Sequence, residues 1–199
     1  MKLKPLLAYP RYQLFGYRPV RVPAAQWDRE FRSGKWAYLN DISQIGCLSI
    51  VFSYCQLLVP GSILDVGCGS GSLTRSIRLL DYEYYQGIDL SAEAIAQAEA
   101  SYAEERTTFA VANAETFEPR QSFDLIIFNN CLYYFEQPDQ VAHRYAKYLN
   151  PSGHVVVSMS DGGLSRAVWT LVEKSMAVEH AIRVVQADGG ATTKLLRPL

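Results

Sequence analysis

Cysteine is scarce in this sequence. Cys47, Cys55, Cys68 and Cys131 are the four present among 199 residues, none belongs to a CxxC pair, and the three histidines add no zinc-ligand spacing. A disulfide-stapled scaffold and a structural zinc module are excluded, and a reducing, cytoplasmic setting is expected. Long apolar runs are missing as well. The longest, IGCLSIVFSYCQLLV from Ile45 to Val59, falls short of the roughly 20 residues that a membrane span needs. Ser49, Ser53 and Gln56 share one of its helical faces, so it reads as a core helix with a wet side, and no membrane association is expected. The N-terminal MKLKPLLAYPRYQLFGY opens with the lysines of a signal peptide, but Pro5, Pro10 and Arg11 break its apolar stretch before a core forms.

Runs of like charge are also absent, which argues against a nucleic-acid partner. The net charge of −1 is nevertheless unevenly spread: residues 1–38 hold eight basic side chains against Asp28 and Glu30, a local +6 that leaves −7 for the rest. Such an arm either meets an anionic partner or folds over the acidic body and neutralises it.

What is present is a regular alternation. About half the residues are apolar (49%), enough for a sizeable core in one chain of this length. After an arm of irregular pattern to about residue 22 and short helical pieces broken at Ser33-Gly34, the apolar helix of residues 42–58 ends at Pro60-Gly61. Then come SILDVG as a strand and a helix whose apolar face is Leu73, Ile77 and Leu80. YYQGIDL follows as a strand, closed by Ser91 as N-cap of the helix AEAIAQAEASYAEE. TFAVANA, FDLIIFN and GHVVVSMS read as further strands, with PDQVAHRYAKYL as a helix between the last two. After the helix LSRAVWTLVEKSM, HAIRVVQ and ATTKLLRPL are joined by ADGG alone, too short for a parallel crossover. The fold class expected is α/β and doubly wound: a mostly parallel seven-stranded sheet with a C-terminal antiparallel hairpin and helices on both faces. Ligands of such sheets sit at the carboxyl ends of the strands, near the switch point.

The stretch ILDVGCGSGSLT occupies that position. Its glycines, Gly67, Gly69 and Gly71, are spaced GxGxG, with Ser72 where a dinucleotide-binding GxGxxG loop has its third glycine. Asp65 would repel a diphosphate but would hold a cationic amino group. Asp89 ends the second strand about twenty residues on, where an acid accepts the hydroxyls of a ribose. An amino acid joined to a nucleoside satisfies both acids, and S-adenosylmethionine is such a molecule.

ILDVGCGSG, GIDLS, ANAETF and FDLIIFNNCLYYF together resemble the class I, Rossmann-like S-adenosylmethionine-dependent methyltransferases of small-molecule type, from about residue 40 to the end. The resemblance implies a 41–199 methyltransferase domain preceded by a 1–40 arm with lid helices. It implies cofactor contacts from Asp65, from the backbone of Gly67, Cys68 and Gly69, and from Asp89 with Leu90. Asn113, Ala114 and Glu115 would meet the adenine edge, with Asn113 standing where aspartate is commoner and Glu115 the better candidate for the contact. The backbone of Asn129 would meet the methionine part. The lid segment FRSGKWAYLN would lie over the cofactor mouth, with Trp36 and Tyr38 in contact, while Tyr9, Tyr12 and Tyr17 of the arm would contact the acceptor.

Tyr133 and Tyr134 stand where many such enzymes carry a histidine pair, and serve either as pocket walls that orient the acceptor or as core packing. Asp161, after the fifth strand, serves either as a base or as an N-cap. His143, His154 and His180 all fall away from the productive end. The proline-containing segment with which amino-methylating nucleic-acid enzymes stack a flipped base is missing from NNCLYY. Asn129 and Asn130 replace the acids that metal-dependent O-methyltransferases use, so no metal is expected. The function implied is metal-independent methyl transfer to an O or N atom of a small metabolite, with S-adenosylhomocysteine as product; the basic arm favours an acidic, phosphorylated or carrier-linked acceptor. Three rival readings are a non-catalytic S-adenosylmethionine-binding sensor or partner subunit, an RNA methyltransferase and a nucleotide-dependent oxidoreductase.

Overall fold

A computed structural model describes residues 17–186 and 189–199. Tyr9 and Tyr12 of the arm, and the first two residues of the ADGG connection, lie outside the described residues. Seven strands, β1 Ser62–Val66, β2 Tyr84–Asp89, β3 Thr107–Val111, β4 Phe123–Asn129, β5 Leu149–Ser160, β6 Met176–Gln186 and β7 Gly189–Pro198, form one sheet in the order β3-β2-β1-β4-β5-β7-β6. β1 to β5 run parallel, and β7 pairs antiparallel with both β5 and β6. The chain leaves β1 towards β2 and β3, then returns to the other side for β4. The switch point therefore opens between the carboxyl ends of β1 and β4.

Period-two side-chain alternation divides the core. Leu64, Val66, Ile126, Phe128, Val155 and Val157 point to one face, where they pack with Tyr145, Val168 and Trp169 of helices α5 (Pro138–Ala146) and α6 (Gly163–Val172). Ile63, Leu125, Ile127 and Val156 point to the other, against Val51, Tyr54, Cys55, Ile77 and Ile95 of α2 (Ile45–Leu58), α3 (Thr74–Ile77) and α4 (Ala92–Tyr102). Both faces of the central strands are covered, which is why these strands read as continuous apolar runs. The remaining helix, α1 (Ala24–Arg32), lies against α4. Among the described residues no helix is long and apolar enough to cross a membrane.

Two expectations are corrected here. The helix expected to reach Leu80 is a single turn, because Leu80 N bonds Ile77 O at 2.8 Å and the chain turns so that Tyr82 is buried with its hydroxyl 2.6 Å from Thr107 Oγ1. The hairpin strands are longer than their apolar cores suggest, with pairing that runs from Met176–Pro198 to Gln186–Gly189.

Candidate active site

β1 delivers Asp65 and then turns sharply. Gly67 takes φ +74°, and a Cβ there would lie 2.8 Å from Cys131 Cβ; Gly71 takes φ +82°, and a Cβ there would lie 2.7 Å from the Tyr102 ring. Only glycine meets both demands without strain. The amides of Gly67 and Cys68 both donate to Ile88 O, at 2.8 and 3.0 Å, which fastens the loop to β2. Below this loop lies a cavity of about 580 Å³.

Every cofactor position expected from the sequence lines that cavity: Asp65, Gly67, Cys68, Gly69, Asp89, Leu90, Asn113, Ala114, Glu115, Asn129 and Trp36. Asp65 is 1% exposed. Its Oδ2 accepts from the Tyr85 hydroxyl at 2.8 Å, and its Oδ1 is buried without a hydrogen-bond partner among the described residues. Burial pushes its carboxyl up to about 7; the Tyr85 bond works against that rise and the neighbouring Asp89 adds to it. Asp89 is pushed up by burial too, but accepts from Gly69 N and Ser91 N, both at 2.9 Å, which restrain the rise. Each of its oxygens has a further lone pair for a ligand hydroxyl. Ser91, as expected, caps α4 through Ala94 N at 3.1 Å.

Asn113 and Glu115 hold their own loop together. Asn113 Oδ1 accepts from Glu115 N at 2.9 Å, and Glu115 Oε1 accepts from Glu136 N at 3.0 Å. Cys68 and Cys131 are buried, and burial raises both thiols well above their ordinary range, so both are neutral rather than nucleophilic.

At the other end of the cavity, Tyr133 and Tyr134 face each other at 4.8 Å between ring centroids. Trp27 meets Tyr134 edge-on at 5.0 Å, and Trp36 stacks obliquely on Trp27 and Tyr38 at 5.3 and 5.8 Å. Burial moves Tyr134 up to about 12 and Tyr133 well above its ordinary value. Both keep their protons at neutral pH. The Trp36 indole N–H is spent on Glu30 at 3.1 Å, which leaves its apolar surface to the cavity. The Tyr17 hydroxyl shares its one proton between the carbonyls of Tyr133 and Phe135, at 2.9 and 3.0 Å, and so braces the tyrosine turn from outside the lining.

Asp161 is corrected. It stands outside the cavity lining, with Oδ2 2.8 Å from Arg183 Nε and Oδ1 accepting from Thr192 at 3.0 Å. Nor does it cap α6, whose N-cap is Gly162 without a side-chain bond. It ties the tip of the hairpin to β5.

Several lining residues were not expected individually as cavity contacts, although Phe31 opens the segment expected over the cofactor mouth. Asn130 has φ +55°, and its Oδ1 collects Ser160 N at 2.8 Å and Ser160 Oγ at 3.1 Å. A left-handed asparagine directly after a strand was the available signal. Ser72 Oγ, like Asp65 Oδ1, is buried without a partner among the described residues. Phe31 and Trp27, from α1, form the roof with Gly69 beneath Phe31 at 3.5 Å from its would-be Cβ. Among the described residues no cluster of three or more histidine, cysteine or acidic side chains is arranged to hold a metal.

Residues 64–155 match a family model described as a methyltransferase domain. A malonyl-[acyl-carrier protein] O-methyltransferase from Brevibacillus brevis is 30% identical over 103 residues, which are 49% of this chain and 37% of that protein. A ubiquinone biosynthesis O-methyltransferase from Paraburkholderia phymatum is 29% identical over 140 residues, 68% of this chain and 58% of that one. The chain thus spans between about a third and three fifths of the length of these two relatives. Among solved structures, the N-methyltransferase NodS from Bradyrhizobium japonicum in complex with S-adenosyl-L-homocysteine shares the fold, with a TM-score of 0.72 at 20% identity over 88% of this chain and 97% of that one. Residues 64–155 thus match a methyltransferase domain within a seven-stranded, Rossmann-like methyltransferase fold, with a buried acid near the end of β1 that has one oxygen unpartnered among the described residues and a second acid at the end of β2.

Proposed function

We propose that this chain transfers a methyl group from S-adenosylmethionine to an O or N atom of a small molecule, without a metal. The observation that carries the reading is Asp65, a buried acid in the cavity wall whose Oδ1 has no hydrogen-bond partner among the described residues. An acceptor left bare in a low-dielectric wall is costly, and a ligand ammonium group relieves it. The residues present therefore fit the cofactor: Asp65 would hold its amino group, Asp89 its ribose hydroxyls, and the wall of Asn113, Ala114 and Glu115 its adenine. When bound, S-adenosylmethionine supplies an electrophilic methyl on a sulfonium, and S-adenosylhomocysteine is the product.

The chain's own work is then positional. The roof of Trp27, Phe31 and Trp36 would exclude water, and Tyr133 with Tyr134 would wall the acceptor and offer it hydroxyl groups that orient it. Because both tyrosines stay protonated, the acceptor atom reacts as a neutral amine or as an already ionised oxygen. The charged lining residues are Arg21, Asp65, Asp89, Glu115 and Glu136. None belongs to the wall of Tyr38, Gln44, Asn130, Tyr133, Tyr134 and Ser160. This favours an acceptor uncharged around the methylated atom. Three of the arm's cations among the described residues are paired within the fold, Arg21 with Glu136, Arg32 with Glu93 and Lys35 with Glu30. A carrier-linked acceptor, as named for the Brevibacillus relative, fits this reading if its carrier stays outside the cavity.

Residues 1–40 are read as arm and lid over a methyltransferase body of 41–199. Support comes from Asp28, which accepts from Ser91 Oγ at 2.7 Å and Glu93 N at 3.2 Å and so docks α1 on the start of α4. Four free, buried cysteines suit a reducing, cytoplasmic setting. The test is calorimetric titration with S-adenosylmethionine on wild type and Asp89→Ala. Binding to wild type, weakened about 100-fold in the variant, is the expected result, corresponding to about 2.7 kcal/mol; equal affinities, or none in wild type, would overturn the reading. The protonated tyrosines also favour a second reading, a cofactor-binding subunit, which would bind S-adenosylmethionine and yield no S-adenosylhomocysteine with any acceptor.

A further inference from the structure

The two oxygens of Asp65 have opposite surroundings. Oδ2 accepts the Tyr85 proton at 2.8 Å, and the Tyr85 oxygen is also 2.8 Å from Thr74 Oγ1. Tyr85 lies at the start of β2, second in the strand, and Thr74 opens α3, and both are fully buried. A tyrosine has one proton to give. Once Asp65 takes it, the Thr74 hydroxyl must donate to the Tyr85 oxygen, so the donors run in one direction, from Thr74 to Tyr85 to Asp65. Oδ1, beyond the end of this relay, is buried without a partner among the described residues, and Asp65 is one of the residues lining the cavity.

We propose that Tyr85, backed by Thr74, is a positioning residue for ligand recognition: it occupies one Asp65 oxygen and leaves the other for a ligand ammonium group. The proposal rests on the reading of Asp65 as the anchor of the cofactor's amino group. It adds two buried residues that never touch the cofactor and decide which part of it is recognised.

The surroundings of Asp65 show why such a donor matters. The titratable groups that face it are Asp89 and Tyr85 on β2, Cys55 on α2, Cys68 in the glycine loop and Cys131 after β4. Asp89 opposes ionisation of Asp65, the thiols are neutral, and none of these groups is a cation. Burial raises Asp65 to about 7, and the Tyr85 hydroxyl is the group that favours its charged form. Loss of that hydroxyl moves the carboxyl further up, so an ammonium ligand binds well only at higher pH.

The test compares two probes by calorimetry: S-adenosylhomocysteine, which carries the amino acid tail, and 5′-methylthioadenosine, which shares the nucleoside thioether but has no ammonium group. Tyr85→Phe is expected to weaken S-adenosylhomocysteine about 10-fold at pH 7, equivalent to one pKa unit, with partial recovery at pH 8.5. Methylthioadenosine should stay within twofold of wild type. Thr74→Val, nearly isosteric, should shift the same ratio about threefold and carries the comparison if Tyr85→Phe does not fold. Equal losses for both probes would assign Tyr85 a purely structural role, and unchanged S-adenosylhomocysteine binding would remove the positioning role; either overturns the proposal. If the wild type binds neither probe, the cofactor reading itself fails, and that result is distinguishable from the others.

Discussion

The two ends of the cavity are built from different materials. At the glycine-loop end, the wall is made of backbone turns and two carboxylates placed by adjacent parallel strands, with Asp65 next to last in β1 and Asp89 last in β2. At the tyrosine end, the surface is assembled from side chains of distant segments: Trp27 and Trp36 from the N-terminal part, Tyr133 and Tyr134 after β4, and Ser160 at the end of β5. The first end tolerates almost no change in shape, because its atoms are backbone. The second can be re-lined residue by residue, which suits a site where acceptors differ between relatives while the cofactor does not.

Three perturbations sharpen this contrast. The largest effect is expected at the loop. Gly71→Ala places a Cβ 2.7 Å from the buried side of the Tyr102 ring at φ +82°; strain and overpacking together cost about 3 kcal/mol. Thermal melting should then fall by roughly 6–12 °C, with cofactor affinity lost in parallel, and an unchanged melting temperature would show that the loop relaxes freely. Deletion of residues 1–22 comes next. It removes the Tyr17 bonds to the Tyr133 and Phe135 carbonyls and the Arg21–Glu136 pair, so turnover of the true acceptor should be abolished or its range broadened. Cofactor affinity, measured by calorimetry, should change by less than about threefold, within about 0.7 kcal/mol. A large loss of cofactor affinity would merge the two ends into one. The smallest effect belongs to Arg21→Ala alone: the pair is 68% and 61% exposed, so melting should move by no more than the equivalent of about 1 kcal/mol.

The same division explains what could be read from the chain. β1, β2 and β4 announce themselves as apolar runs because both of their faces are covered, and the acids and glycines follow at their ends in fixed register. Local chemistry decides those positions. Asp161 is different: its partners Arg183 and Thr192 lie on the two strands of the hairpin, and no local rule supplies the register that brings them together. Asn130 gathers Ser160 from thirty residues away. Tyr85 reads in sequence as an ordinary strand aromatic, and only the pairing of β2 with β1 places its hydroxyl against Asp65. The roof likewise depends on Asp28 reaching Ser91 across the fold.

The most direct test of the central claim is native mass spectrometry of the protein equilibrated with equal amounts of S-adenosylmethionine and NAD. The account predicts one adduct, with the mass of S-adenosylmethionine or its demethylated product, held through Asp65 and Asp89. A protein that takes up NAD and leaves S-adenosylmethionine in solution would contradict it.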